Sequence, residues 1–551
     1  MTRDNLIKMF EESFRENFDR QGLSDYGTSV SFTYAEIAEE IAKLHILFEE
    51  AKIQRGDKIA LIGRNTSRWS IAYIASITYG AVIVPILQDF NPNDVHHIIN
   101  HSESVLLFVS DPIWETLEEE KLPELRGAFS LTDFSLQYQK AGEELNGITE
   151  RIGEMFREKY PCGFQAEHIV YADKSDEELV VLNYTSGTTG FSKGVMITGG
   201  NLSGNMSFAH DFICLRKGDS MLSFLPLAHT YGAAFEFLYS LIEGCNITLL
   251  GRAPAPKVLL KAFSEIKPTL VISVPLILEK IYRKMIVPLL GKKTMRWALS
   301  VPLLDTKIYA QIRKKLVDAF GGNLRQVIIG GAPLNREVED FLQKIKFPVS
   351  VGYGMTECAP LISFSPYADF IPHSCGKVLE CMTAQIDSND PYTIAGEIQV
   401  RGQNVMKGYF KNEKATQDAF TEDGWLKTGD LGTIDSNNNL FIRGRLKSMI
   451  LGASGQNIYP EEIEAKLDNL PFVLESLVIE RNGKLIALVH PDYDTVDGMS
   501  LSHDDLKVTM EENKTILNSM VASYEKIAEI QLYPNEFEKT PKKSIKRYLY
   551  V

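Results

Sequence analysis

At 551 residues the chain is too long for one compact domain, and two or three are expected. Hydrophobic residues make up 44% and charged residues 24%, ordinary values for a soluble globular protein. A formal net charge of −14 argues against a general nucleic-acid binder, which carries a basic face, but leaves phosphate ligands open because those answer to local charge and N–H groups.

In chain order, the N-terminus runs into a charged helical pattern rather than an apolar core, so no signal peptide is expected. Residues 34–51 have helical apolar spacing, with Thr33 as N-cap and Glu36 in the first turn. Residues 58–62 and 105–109 read as short apolar strands. Residues 69–88 carry no charge, almost enough to span a bilayer, but Gly80 and Pro85 interrupt them. A buried helix to Tyr79, a turn at Gly80 and a buried strand 81–84 fit better, so no transmembrane segment is expected. His96 and His97 are expected on a helix surface.

The apolar run 179–182 leads into Tyr184-Thr-Ser-Gly-Thr-Thr-Gly-Phe-Ser-Lys193, which reads as a strand ending in a phosphate-gripping loop. Gly187 and Gly190 let backbone N–H groups approach an anion; Thr185, Ser186, Thr188 and Thr189 add hydroxyls, and Lys193 a charge. It is not a Walker A loop, which spaces its glycines differently. Strands at 247–250, 269–274 and 326–329 follow, with helices between. Fully apolar strands alternating with helices indicate mostly parallel sheets covered on both faces, whose ligands sit beyond the carboxyl ends of strands. Gly187 and Gly330 both follow strands and so suit one crevice.

Between 396 and 443 the texture changes to a smaller sheet, with strands at 397–401 and 440–442. A compact tail follows: a helix at 460–467, a hairpin around Asn482-Gly483, a helix near 507–521 and a strand at 530–533. The expected fold class is therefore α/β: a large N-terminal domain of parallel-rich sheets with a small β subdomain, residues 1–445, and a small α+β C-terminal domain, residues 446–551. The six cysteines (162, 214, 245, 358, 375 and 381) form no Cys-x-x-Cys pair or zinc spacing and read as reduced thiols of a cytoplasmic protein.

Six segments in order carry a resemblance: 184–194, Gly330-Gly-Ala-Pro-Leu334, Gly352-Tyr-Gly-Met-Thr-Glu357, Gly396-Glu-Ile398 with Gly408-Tyr-Phe410, Thr428-Gly-Asp430 and Gly444-Arg-Leu-Lys447. The chain resembles the adenylate-forming superfamily, and its cadence is most similar to the fatty-acyl-CoA synthetases. The resemblance implies ATP-dependent conversion of a fatty acid to acyl-AMP with release of pyrophosphate, then transfer to coenzyme A. It implies that Thr185 and Glu357 hold Mg²⁺ and act in catalysis, and that Ser186, Gly187, Thr188, Thr189 and Lys193 grip the ATP phosphates. Thr356 would meet the α-phosphate. Tyr353, beside Gly354 and Met355, would stack on adenine, with Gly331, Ala332 and Pro333 as the other wall. Asp430 would accept from both ribose hydroxyls, and Arg445 would meet ribose or phosphate. His229 either orients the substrate carboxylate or is a core histidine satisfied by backbone.

The resemblance also implies a C-terminal domain that rotates on a hinge at Lys447 between the two half-reactions, with the glycines of 452–463 passing a pantetheine arm. The family ends in Lys-Thr-x-x-Gly-Lys-Ile, but this chain has Lys539-Thr-Pro-Lys-Lys-Ser-Ile545 and places Ser544 at the lysine position. Lys543, displaced by one residue, is expected to take the catalytic part, with Lys542 and Lys546 as alternatives. Three other readings stay open. An acyl carrier protein replaces coenzyme A as acceptor; an aryl or amino acid replaces the fatty acid; or nucleotide binding is regulatory. An ammonium group would need a buried anion, and residues 226–237 offer no clear candidate. An apolar substrate leaves weak peripheral contact with the inner membrane face open, and a homodimer is also left open.

Overall fold

The structure is a computed structural model that describes residues 5–185, 192–290, 295, 298–299, 301, 304–451, 457–481, 483–499, 501–539 and 545–550. The chain forms two compact units: residues 1–334, 340–383 and 400–426 in the first, and 335–339, 384–399 and 427–551 in the second.

Two sheets organise the first unit. One has eight strands in the order Gly408–Tyr409, Lys193–Thr198, Leu179–Thr185, Val82–Ile86, Lys58–Ile62, Ser104–Val109, Gly127–Ser130 and Leu136–Gln139. Its central strands are parallel, from Leu179–Thr185 through Gly127–Ser130. The other has seven strands, ordered Val349–Val351, Gln326–Ile329, Leu270–Ser273, Ser220–Ser223, Asn246–Leu249, Gln21–Asp25 and Ser31–Thr33. All of its pairs are parallel except the last. The parallel-rich α/β architecture thus follows from the short apolar strands, each too greasy to leave one face wet.

Local signals act as their chemistry predicts. Thr33 and Glu36 form a reciprocal capping box on the helix Tyr34–Glu50. The helix Ser67–Tyr79 is buried almost all round and ends at Gly80, whose φ of 105° no side chain tolerates well. Pro85 does not end the next strand, which runs Val82–Ile86 with every residue buried. Towards Leu179–Thr185 its register is recorded only at Ile83–Val181, so the missing proline N–H removes little from the ladder. His96 departs from expectation. It is 5% exposed, and its Nε2 accepts from the Glu118 N–H at 3.0 Å, so the ring fills the interior behind the helix Pro92–Ser102. Among the described residues no helix is long and apolar enough to cross a membrane.

One buried contact makes this unit acid-sensitive. His45 Nε2 lies 3.0 Å from the Ala75 carbonyl, and its ring packs against Tyr79 and Tyr171. Burial pulls its imidazole down to about 4. The unfolded chain therefore takes up this proton first, and stability falls as pH drops from the ordinary histidine value to about 4. Unfolding of His45→Gln, which keeps a donor for Ala75, should lose correspondingly less stability across that window.

The second unit holds most of a four-stranded sheet ordered Met382–Asp387, Gly396–Gly402, Leu426–Ile434 and Leu440–Arg445. It also has a three-stranded sheet of Val473–Arg481, Lys484–Pro491 and Ile527–Leu532. The first two of these strands form the hairpin marked by Asn-Gly, with Arg481 opposite Lys484 and Gly483 at φ 70°. The helices Pro460–Leu467 and His503–Met520 bury Ile463, Leu467, Leu506 and Leu517 in one core with Val478, Val489 and Ile527.

Candidate functional site

The serine- and threonine-rich segment lies between the strands of an antiparallel hairpin. Leu179–Thr185 pairs with Lys193–Thr198 so that Thr185 and Lys193 stand directly opposite each other. Ser186, Gly187, Thr188 and Thr189 lie outside the described residues. Behind Thr185 the strand is fixed by Tyr184, whose hydroxyl is 2.7 Å from His101 Nδ1. It is fixed also by Asn183, which donates to the Ala228 carbonyl at 2.9 Å.

Lys193 leads to an acid. Its Nζ sits 4.9 Å from the centroid of the Tyr409 ring, a cation–π distance. Tyr409 is placed there by its register opposite Val195. Its phenol donates to Glu357 Oε1 at 2.8 Å. Burial first, and then the Glu357 charge, push the phenol well above its ordinary range, so it stays a donor. The Glu357 carbonyl accepts from Met406 N at 2.8 Å, which fixes its backbone to the same stretch. Lys193 and Glu357 are therefore linked through one residue, Tyr409, and Thr185 stands opposite Lys193 in the hairpin. The sequence marked Tyr409 only as part of a Gly-Tyr-Phe motif and gave it no role.

Tyr353–Gly354 pairs antiparallel with Leu361–Phe364 and is as tight as its glycine suggests. A Cβ on Gly354 would come within 2.1 Å of the Pro360 carbonyl oxygen, so no side chain fits. Met355 N closes the turn on the same oxygen at 2.8 Å. Tyr353 and Thr356 are buried, at 7% and 8% exposure, while Glu357 on the short turn Thr356–Cys358 is half-buried.

Gly331, Ala332 and Pro333 follow the strand Gln326–Ile329, and Gly331 turns the chain at φ 84°. The strands that precede the two glycine-rich segments, Leu179–Thr185 and Gln326–Ile329, belong to two different sheets. Polar side chains tie the strand ends of these sheets together. Asn183 reaches Ala228, and Asn65 donates to Leu225 O at 2.7 Å and accepts from Leu227 N at 3.1 Å. The Tyr231 hydroxyl lies 3.2 Å from Ile328 O, and its ring fills the space where a Cβ on Gly330 would stand, 2.8 Å away. His229 lies on this bridging segment as the N-cap residue of the turn Thr230–Gly232, its carbonyl accepting from Ala233 N.

The same segment hides a carboxyl that the sequence reading passed over. Glu236 is fully buried, and its Oε2 accepts from Ser223 Oγ at 2.9 Å and from the N–H groups of Phe224 and Leu225 at 3.1 Å each. Burial pushes its carboxyl well above the usual range. Its three donors fasten the turn after Ser220–Ser223 to the buried segment. A lone glutamate inside Ala-Ala-Phe-Glu-Phe-Leu was the available signal.

In the second unit, Asp430 and Arg445 are cross-strand partners, with Arg445 Nε 3.0 Å from Asp430 Oδ1. Asp430 is 5% exposed, whereas the arginine side chain is 70% exposed. Gly429, at φ 72°, donates to Glu397 Oε1 at 3.0 Å, and Thr428 Oγ1 accepts from Asp430 N at 3.1 Å. The Thr-Gly-Asp step is thus a fixed corner presenting one buried carboxylate. Lys447 lies in the short turn Leu446–Ser448 that follows. Lys542, Lys543 and Ser544 lie outside the described residues, as do 452–456. Lys546 is 3.5 Å from Glu538.

The family model described as AMP-binding enzyme matches residues 10–410. The chain is 29% identical to the long-chain-fatty-acid–CoA ligase FadD15 of Mycobacterium bovis, over 99% of this chain and 94% of that protein. It is 27% identical to the mouse (Mus musculus) long-chain-fatty-acid–CoA ligase 6, over 89% of this chain and 74% of that one. Among solved structures, ATP-bound MatB from Rhodopseudomonas palustris superposes with a TM-score of 0.74 at 21% identity, covering 98% of each chain. The anthranilate CoA ligase AuaEII with anthranoyl-AMP gives 0.78 at 18% identity, covering 99% of this chain and 96% of that one. Likeness at this level shows a shared fold.

Proposed function

The chain belongs to the AMP-binding enzyme family, and from that membership we propose that it joins a fatty acid to coenzyme A through an acyl-adenylate. In the first half-reaction a carboxylate oxygen of the acid bonds to the α-phosphorus of ATP as the bond to the pyrophosphate oxygen breaks. In the second, the thiol sulfur bonds to the acyl carbon, the thiol proton is lost and AMP leaves. The observation that carries this reading is the linked set of Lys193, Tyr409 and Glu357, with Thr185 opposite Lys193 in the hairpin. It brings a lysine charge, hydroxyls and a carboxylate to the mouth of one hairpin, as holding a triphosphate requires.

Magnesium fits these donors. Glu357 and Thr185 offer hard oxygens, and among the described residues no cluster of three or more His, Cys, Asp or Glu side chains suits a metal. A single protein carboxylate completed by substrate phosphates is the usual magnesium arrangement. Glu357 and Thr185 would hold the ion, which would neutralise charge growing on pyrophosphate. The protein's own work is positional. Tyr409 aims Glu357, Lys193 steadies the phosphates, Gly354 keeps Tyr353 and Thr356 in register for adenine and the α-phosphate, and Asp430 with Arg445 takes the ribose. The apolar segment carrying His229 would border the acyl chain. We further propose the boundary at 445/446, with Lys447 as the hinge of a C-terminal domain that rotates between half-reactions. The pattern of unpaired cysteines supports a cytoplasmic protein.

Exchange of labelled pyrophosphate into ATP tests the first step across a panel of short to long carboxylic acids. The expected result is exchange that depends on a fatty acid; exchange with none of them would overturn the reading. Supplying coenzyme A or a holo carrier protein then identifies the acceptor. Tyr409→Phe keeps the ring under Lys193 and removes only the hydroxyl. It should cut exchange about tenfold and raise the magnesium concentration needed for half-maximal rate. Lys543→Ala should slow acyl-AMP formation at least tenfold while leaving thiolysis of preformed acyl-AMP unchanged, as single-turnover assays of each step would read.

A further inference from the structure

The strand end that carries Thr185 is held from behind by one histidine. Successive side chains leave opposite faces of a strand, so Tyr184 points away from Thr185, and Phe410 away from Tyr409. Both rings pack in the core beneath the helix Pro92–Ser102, against its Val95, Ile98 and Ile99. His101, in the last turn of that helix, meets the two rings edge-on, its centroid 5.8 Å from Tyr184 and 5.9 Å from Phe410. Its Nδ1 lies 2.7 Å from the Tyr184 hydroxyl. Burial pushes that phenol far above its ordinary range, so it keeps its proton and donates. Burial, and then the neighbouring His97 and Lys411, pull the His101 ring below the ordinary histidine value, which favours the accepting form. Gly194 stands between the two strands. Its carbonyl accepts from Phe410 N at 2.8 Å, and a Cβ there would come within 3.1 Å of the Tyr184 ring. Beyond Phe410, Lys411 Nζ donates to the His101 carbonyl at 3.3 Å and pairs with Glu103 at 2.7 Å.

We propose that His101 is a positioning residue for the triphosphate: by holding Tyr184 and Phe410 it fixes Thr185 against the set of Lys193, Tyr409 and Glu357. The proposal rests on the reading of this hairpin mouth as the ATP phosphate site, and His101 acts there only through its two aromatic neighbours. A mere spacer in the core would need neither the bond at Nδ1 nor contacts that converge on the chain neighbours of both Thr185 and Tyr409. Because the grip is on the outer phosphates, loosening it should weaken ATP and spare AMP, which lacks them.

Binding of magnesium–ATP and of AMP to the full-length protein, followed by calorimetry, reads this without catalysis. Tyr184→Phe keeps the ring and removes the hydroxyl; His101→Phe keeps a ring and removes the acceptor. Each should weaken magnesium–ATP about tenfold and AMP by less than about twofold. The double variant should bind no more weakly than either single one, because the same bond is lost in all three. His101→Asn returns an acceptor close to the Nδ1 position and should recover ATP binding to within about threefold of wild type. Equal losses for ATP and AMP, additive losses in the double variant, no recovery with Asn, or ATP binding within about twofold of wild type in both single variants would each overturn the proposal. A wild type that binds magnesium–ATP but exchanges no pyrophosphate would overturn the proposed reaction alone, and the variants would still decide the part played by His101. One that binds neither nucleotide would overturn both.

Discussion

Glu357→Gln should lower ATP–pyrophosphate exchange by about 10³-fold while moving the apparent Tm by less than about 2 °C. The substitution is nearly isosteric. A glutamine oxygen can still accept from the Tyr409 phenol, now 2.8 Å from Glu357 Oε1, and the backbone bond from Met406 is untouched. What disappears is the one negative charge that would face the proposed magnesium ion and triphosphate. Three decades correspond to about 4 kcal/mol, which is within what a metal-held phosphate contributes at the transition state. The side chain is half-buried on a short turn, so its neutralisation leaves no orphaned charge in the core. Titrating magnesium separates the causes: a variant rescued in part by excess metal has lost metal affinity. Exchange within tenfold of wild type would remove Glu357 from the metal-binding role.

Asp430→Ala should raise the KM for ATP about 100-fold in the same assay, with a smaller change in kcat. Two hydroxyl hydrogen bonds to a buried carboxylate are worth about 3 kcal/mol together. Asp430 is 5% exposed, but its partner Arg445 is mostly in solvent, so removing the acid strands no buried cation and the sheet should persist. The proposed contact with ribose has its own signature. Wild type should discriminate against 2′-deoxy-ATP, and Asp430→Ala should treat ATP and 2′-deoxy-ATP nearly alike. Unchanged discrimination would show that the carboxylate serves the Arg445 pair alone.

The linear chain was informative wherever a single local effect dominates. The strands Lys58–Ile62 and Gln326–Ile329 are short apolar runs, and their burial on both faces is why they read as parallel. Thr33 with Glu36, Gly80 and the Asn-Gly hairpin each follow from one backbone requirement satisfied by neighbouring residues. Gly354 was marked by its motif, and the carbonyl 2.1 Å from where its Cβ would stand explains it. The family, and with it the proposed roles of Thr185, Glu357 and Asp430, was readable because those motifs recur in fixed order.

Tertiary structure alone decided the remainder, because non-local pairing and burial carry no local sequence period. Gln21–Asp25 joins a sheet beside Asn246–Leu249, and the strands Leu179–Thr185 and Gln326–Ile329 fall in different sheets. Tyr409 meets Glu357 and Lys193 only because Gly408–Tyr409 is added at the edge of the long hairpin. His96 is interior because the Glu118 N–H caps its ring, and burial pushes the Glu236 carboxyl well above its usual range. A carboxyl's charge and a tyrosine's purpose are set by what surrounds them, and those surroundings come from residues far away along the chain.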